Sequence, residues 1–361
     1  MTCADSEFLA EQGPLSAAVD HGVAHGYQWA QNAMNASRGS SAPSASPPEQ
    51  YLVAGLVLAG LPHMQMEWSR ILGRYGLKVA MGGVFCHKVP IVKNSSWTVG
   101  CELGDLLLGH IHFSGGTVTS RSALLLQAKV APAALFGSQL DLYTNWPDFE
   151  YTTGPHRGES RIVTPPWRNQ GAQCLELSSP SSPHSPSARV AMASGTPKTY
   201  SSLGEEVARL PLDIGGRRFA DKTTAFAEKP GDWSHVVWDL LEWAQSKINR
   251  PTFQWKGLPP HPRYGGDPIQ YVIDSSARYA GREGLGALDG LSHASSPSVT
   301  AFLDPVDDTS VDRLWKSLDE GNGNGEDHQP PYNQPRDDGT GGGVSTLVIF
   351  TQGPRERPAS G

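Results

Sequence analysis

Cys101-Glu102-Leu103-Gly104-Asp105-Leu106-Leu107-Leu108 and, further on, Ser122-Ala123-Leu124-Leu125-Leu126-Gln127-Ala128-Lys129 are the two stretches that decide how this chain folds. Each reads as a strand. The first carries an acid, and the second ends in Gln-x-Lys. Between them Gly115-Gly116 follows Ser114 and supplies a tight turn, which predicts a hairpin over about residues 98–130. Side chains alternate along a strand, so Gln127 and Lys129 project from one face. Antiparallel pairing sets Asp105 beside them, at the end of the hairpin away from the turn. An acid, an amide carbonyl and a lysine at one strand end can hold a divalent metal and a reacting phosphate.

Working outward, residues 51–61 form an apolar run, and residues 64–75 have helical spacing with Met66, Ile71 and Leu72 among the apolar positions. Residues 77–85 and 89–92 read as short strands separated by glycine and proline. After the hairpin, residues 133–143 read as a helix with Leu135, Phe136, Leu140 and Leu142 apolar, and Pro147 must end it. Helix, strand, hairpin, helix is the order of an α/β core with a mixed sheet. Beyond it, residues 232–247 form an amphipathic helix, with Trp233, Val236, Val237, Leu240, Leu241 and Ala244 at helical spacing. Residues 344–351 form a lone apolar strand, too short to stand alone and expected to join a sheet formed upstream. Four segments follow: a flexible N-terminal segment and linker (1–48), a core (49–176), a disordered Ser/Pro/Ala-rich insertion (177–199), and a C-terminal extension or second part of the same domain (200–361).

Composition narrows the function classes. The hydrophobic share is 38%, and the 40 Gly and 29 Pro gather in loops and tails. A formal charge of −7 gives no global basic field, so a nucleic-acid contact needs a local groove or metal ions to offset the acids. Cys3, Cys86, Cys101 and Cys174 form no CxxC pair, so a reducing cytoplasm is the expected location and a disulfide framework is not. The acidic start, Met1-Thr2-Cys3-Ala4-Asp5, does not read as a signal peptide, and no apolar run approaches the roughly 20 residues that span a bilayer.

An acid on one strand and Gln-x-Lys on the next, across a hairpin, resembles the PD-(D/E)XK nuclease superfamily over roughly residues 60–150, carried by Asp105 and Gln127-Ala128-Lys129. Gln in place of Glu is similar to the Mrr-type variant of that site. The resemblance implies a restriction-endonuclease-like core, a central mixed sheet flanked by helices, with an irregular C-terminal elaboration here. It also implies Mg²⁺- or Mn²⁺-dependent hydrolysis of DNA phosphodiesters, in foreign-DNA restriction or defence, with a homodimer or a partner defence protein compatible with that role. Asp105, Gln127 and the Ala128 carbonyl would be metal ligands, and Lys129 would serve the attacking water or the transition state. Glu102 is a candidate second carboxylate if a bulge at Gly104 turns it inward. Glu67 is another, because a helix acid often contributes in this superfamily.

Other readings compete. Asp105 and Lys129 can be a structural ion pair in an inactive nuclease-fold binding or scaffold module. Cys86, His87, Cys101, His110 and His112 fall within 27 residues, although without the short paired spacing of structural zinc sites. His87 and Gln139 are candidate phosphate or substrate contacts. Tyr143, Trp146, Phe149 and Tyr151 are read as core and corner packing. No Walker lysine, His-Glu-x-x-His or Gly-x-Ser-x-Gly is present.

Overall fold

The two apolar runs become the centre of a mixed sheet in the computed structural model, which describes residues 3–38, 47, 49–84, 90–114, 117–131, 133–164, 172–178, 187–191, 200–212, 214–227, 231–248 and 344–353. The strands are β1 (Lys78–Val84), β2 (Ile91–Lys93), β3 (Cys101–Glu102), β4 (Leu106–Ser114), β5 (Thr117–Val130), β6 (Phe149–Tyr151), β7 (Ser160–Arg161), β8 (Ala172–Ser178), β9 (Ser187–Ala191), β10 (Tyr200–Ser202), β11 (Arg217–Arg218) and β12 (Ser345–Gln352). The larger sheet runs β1-β12-β4-β5-β8-β9-β10, with β11 on β5, and the smaller runs β3-β2-β6-β7. β4 pairs antiparallel with β5 and parallel with β12, and β5 pairs parallel with β8. The predicted hairpin is therefore present; its Gly115-Gly116 turn lies outside the described residues.

β4 is buried along almost its whole length, as its unbroken apolar run requires of a strand covered on both faces. Leu106, Leu108, Leu124, Leu126 and Ala128 join one core cluster; Leu107, Ile111, Phe113, Ala123 and Leu125 join the other. The first cluster is closed by α1 (Cys3–Ala10), α2 (Gln12–Arg38), α3 (Glu49–Gly55), α4 (Leu61–Leu72) and α6 (Leu203–Arg209). The second is closed by α5 (Gly137–Asn145), α7 (Lys222–Ala227), α8 (Trp233–Ile248) and the small sheet. α3 passes into α4 through a π-helical turn, Leu56–Gly60, whose flanking residues keep helical dihedrals.

Several boundaries differ from the sequence reading. Residues 1–48 were expected to be flexible, yet Phe8, Leu15, Val19, Val23 and Ala30 are core residues, because α2 has an apolar stripe that α3, α4 and α6 cover. Residues 39–46, the centre of the expected linker, lie outside the described residues. The 177–199 insertion contains β9, which extends the sheet from β8. β12 does join a sheet formed upstream, as its length demands, and it enters between β1 and β4 rather than at an edge. Around α4 and α5, Met66 is 50% exposed and Phe136, at the N-cap of α5, is 77% exposed, so neither belongs to its expected apolar set. α5 stops at Asn145, with Trp146 at φ 44° just before Pro147.

One buried charge network fastens the small sheet to α8. Arg161 Nε donates to Asp239 Oδ2 at 2.7 Å and its NH2 to Oδ1 at 3.1 Å, while the Tyr151 hydroxyl donates to Oδ2 at 3.1 Å. His156 and His235 stand 3.5 and 3.6 Å from Asp239 Oδ1. Among the described residues no helix is long and apolar enough to cross a membrane.

Candidate functional site

Register brings the singled-out residues together. Leu106 faces Leu126, so Asp105, one step before β4, lies beside Gln127 at the far end of the hairpin. The Asp105 backbone is pinned on both sides: its N–H donates to the Leu126 carbonyl at 2.9 Å, and its carbonyl accepts from the Ser345 N–H at 3.1 Å. The bend before it needs Gly104, since a Cβ there would stand 2.7 Å from Leu125 Cδ1 and 2.9 Å from the Tyr143 hydroxyl. That hydroxyl donates to the Leu103 carbonyl at 2.8 Å and closes the bend.

The Asp105 carboxyl is buried and already held. Gln127 Nε2 and the Ala128 N–H, the latter at 2.8 Å, both donate to Oδ2. Burial pushes its pKa well above the ordinary carboxylate range; Glu49 and Glu102 push the same way, and Lys129 and the Ala128 N–H oppose them. Gln127 Oε1 is buried and has no hydrogen-bond partner, an arrangement that is costly unless something else occupies that oxygen. Lys129 does not pair with Asp105. Its Nζ lies 3.3 Å from Oε2 and 3.4 Å from Oε1 of Glu49, in the first turn of α3. Burial raises the Glu49 pKa, Lys129 lowers it, and Glu102 raises it.

Glu49 is the residue that sequence reasoning missed. Eighty positions separate it from Lys129, and its only signal was an acid at the head of an apolar helical run. Glu67, the helix acid expected instead, lies on α4 and pairs with Arg70 at 2.8 Å. Glu102 ends β3, in the other sheet from β4, because the chain breaks strand at Leu103–Gly104. It stays within electrostatic reach of both Glu49 and Asp105. Ala128 turns its side chain into the first core cluster. Gln139 is half-buried on α5.

The zinc reading of this region does not come together. Cys86 and His87 lie outside the described residues. His110 Nε2 and His112 Nδ1 both meet the Thr351 hydroxyl, at 2.9 and 2.7 Å, beneath the ring of Phe8. Cys101 is buried in the opposite cluster, where burial pushes its thiol up to about 12. Tyr143, Trp146, Phe149 and Tyr151 pack ring against ring in that cluster, as corner residues would.

Among the described residues, no three His, Cys, Asp or Glu side chains are placed to hold a metal ion. The Asp105 region nevertheless fits a hard cation that keeps most of its waters, which takes one or two carboxylates with neutral oxygens. Its donors are all oxygens, and one of them, Gln127 Oε1, is buried with no partner. No family model matches this sequence, and no curated protein or solved structure matches it either.

Proposed function

We propose that this chain is a metal-dependent nuclease of the PD-(D/E)XK type that hydrolyses DNA phosphodiesters, with Asp105, Gln127, Lys129 and Glu49 as its site. The observation that carries the reading is their convergence at one end of the hairpin, from α3, β5 and the step before β4. The surrounding order supports it: helix, strand β1, hairpin β4–β5, helix α5, then β8 parallel to β5. Asp105 and the Gln127 amide oxygen would hold Mg²⁺ or Mn²⁺, with the Ala128 carbonyl and Glu102 beside them. A cation there would act as a Lewis acid on a phosphate oxygen. Lys129, aimed by Glu49, would orient the attacking water or donate to the developing charge on phosphorus-bound oxygen. With a net charge of −7, the cation and Lys129 are what would make this acidic corner tolerable to a polyanion.

One observation favours a second reading, an inactive binding module of the same kind. Asp105 is already satisfied by two N–H donors and Lys129 is already paired, so the cluster also closes as a structural polar network. The test is incubation of the purified chain with plasmid and linear DNA in Mg²⁺, Mn²⁺ or EDTA, beside Lys129→Ala and Asp105→Asn. Cleavage that needs the cation and disappears in both variants is expected. Cleavage surviving EDTA, or undiminished in Lys129→Ala, overturns the mechanism. DNA binding without cleavage by the unaltered chain selects the binding module.

A further inference from the structure

A second cluster lies on the opposite helical layer and is independent of the hairpin site. Two glycine pairs set it up. A Cβ on Gly26 would stand 2.7 Å from the Gly55 carbonyl carbon, and one on Gly60 would stand 2.6 Å from the Gly22 carbonyl oxygen. Backbone therefore touches backbone at both places, and α2 lies directly against the helical stretch that leads into α4. His21 and His25, each next to one of these glycines, are one helical turn apart and exposed. His63 and Glu67 are one turn apart on α4. Across the seam the His25 and His63 rings are 4.2 Å apart between centroids, and His21 and His63 are 6.3 Å apart.

We propose that His21, His25 and His63, with Glu67 as the fourth donor, form a binding site for a divalent transition metal of the zinc class. Paired histidines at i and i+4 on one helix face are the spacing that puts two imidazoles on one zinc ion. With Zn–N bonds near 2.1 Å, three imidazoles on one ion have centroids roughly 5 Å apart, which the two observed separations bracket. The rings now lie side by side rather than converging, consistent with no three donors among the described residues being placed for a metal. Rotation of the two exposed rings between staggered wells brings their nitrogens inward.

Two further features point to a ligand. His63 Nε2 is buried from solvent and has no hydrogen-bond partner. Burial and the neighbouring His25 push the His63 pKa down, so the ring is held in the neutral form that a metal requires. Glu67 faces the same seam, since both His63 and His21 act on its charge. Its pairing with the exposed Arg70 is of the kind that water weakens, and it leaves the carboxylate exchangeable. Imidazole nitrogens select zinc, nickel or copper over magnesium, so this site and the oxygen-lined one would take different ions.

The experiment uses the full chain with any affinity tag removed, stripped with EDTA and desalted, then titrated with ZnCl₂ against a chromophoric chelator. One zinc per chain is expected. His25→Gln and His63→Gln should each weaken it by more than the about tenfold that loss of a supporting group alone costs. Asp105→Asn should leave it unchanged, which separates this site from the hairpin. His25→Gln alters an exposed ring, so a native circular dichroism spectrum with lost zinc binding supports the site even if His63→Gln misfolds. Absence of zinc binding, or equal affinity in His25→Gln and the unaltered chain, overturns it.

Discussion

Replacing Lys129 with alanine strands Glu49, and the size of the effect follows from how deeply the pair sits. The side chains are 13% and 19% exposed and their charged atoms are 3.3 Å apart. Exposed ion pairs contribute up to about 1 kcal/mol, whereas breaking a fully buried one costs about 3–5 kcal/mol. A pair between those limits should cost about 2 kcal/mol when Lys129 is lost. The cost should depend on pH. Burial already raises the Glu49 pKa and Lys129 holds it down, so in Lys129→Ala it rises further. A carboxyl whose folded pKa exceeds its unfolded one loses stability as pH climbs between the two values. Lys129→Ala should therefore lose most at pH 8 and less near pH 5, where Glu49 takes up a proton. Urea unfolding reads this directly: about 2 kcal/mol lowers the midpoint by about 0.7 M if m is about 3 kcal/mol per M. In Glu49→Gln the Lys129 loss should shrink, giving a coupling above about 1 kcal/mol. Losses that add within about 0.5 kcal/mol, or that ignore pH, would refute the pairing as the site's organising contact.

Asp105→Asn removes a buried carboxyl whose pKa is raised by burial and by Glu49 and Glu102. Its stability should overtake that of the parent as pH rises through the raised pKa, measured by thermal unfolding from pH 4 to 8, while any cleavage is lost. Gln127→Glu adds a fourth acid to the corner; the melting temperature should fall in EDTA and recover with Mg²⁺ more than the parent's does. Gly26→Ala puts a methyl 2.7 Å from Gly55 backbone, which cannot move aside as a side chain end would, so denaturation should register a loss of about 2 kcal/mol. Asp239→Ala leaves Arg161 without its two-pronged acceptor in a buried site, and about 3 kcal/mol should be lost in the same assay.

What could be read from the sequence was whatever depends on near neighbours along the chain. Leu106-Leu107-Leu108 and Leu124-Leu125-Leu126, with a glycine turn between, specify a hairpin covered on both faces, and the period of two then fixes Asp105 against Gln127. The amphipathic run at Trp233–Ile248 specified α8 on the same grounds, and all six of its expected apolar residues are buried. What could not be read depends on pairings that no local period encodes. β12 announces itself as a strand, yet nothing in Ser345–Gln352 says that it will part β1 from β4, more than 230 positions upstream. Glu49 belongs to the same class. Choosing Glu67 relied on its place in the helix nearest the first strand, but the acid that meets Lys129 is the one at the head of that helical stretch, where the chain approaches the end of β5. The π turn at Leu56–Gly60 explains why counting along a regular helix misleads: it adds residues between Glu49 and α4 and rotates everything before it relative to everything after. Glu67 is thereby turned toward the α2 seam and its histidines while Glu49 faces Lys129, so one helical stretch carries an acid to each of two different polar clusters.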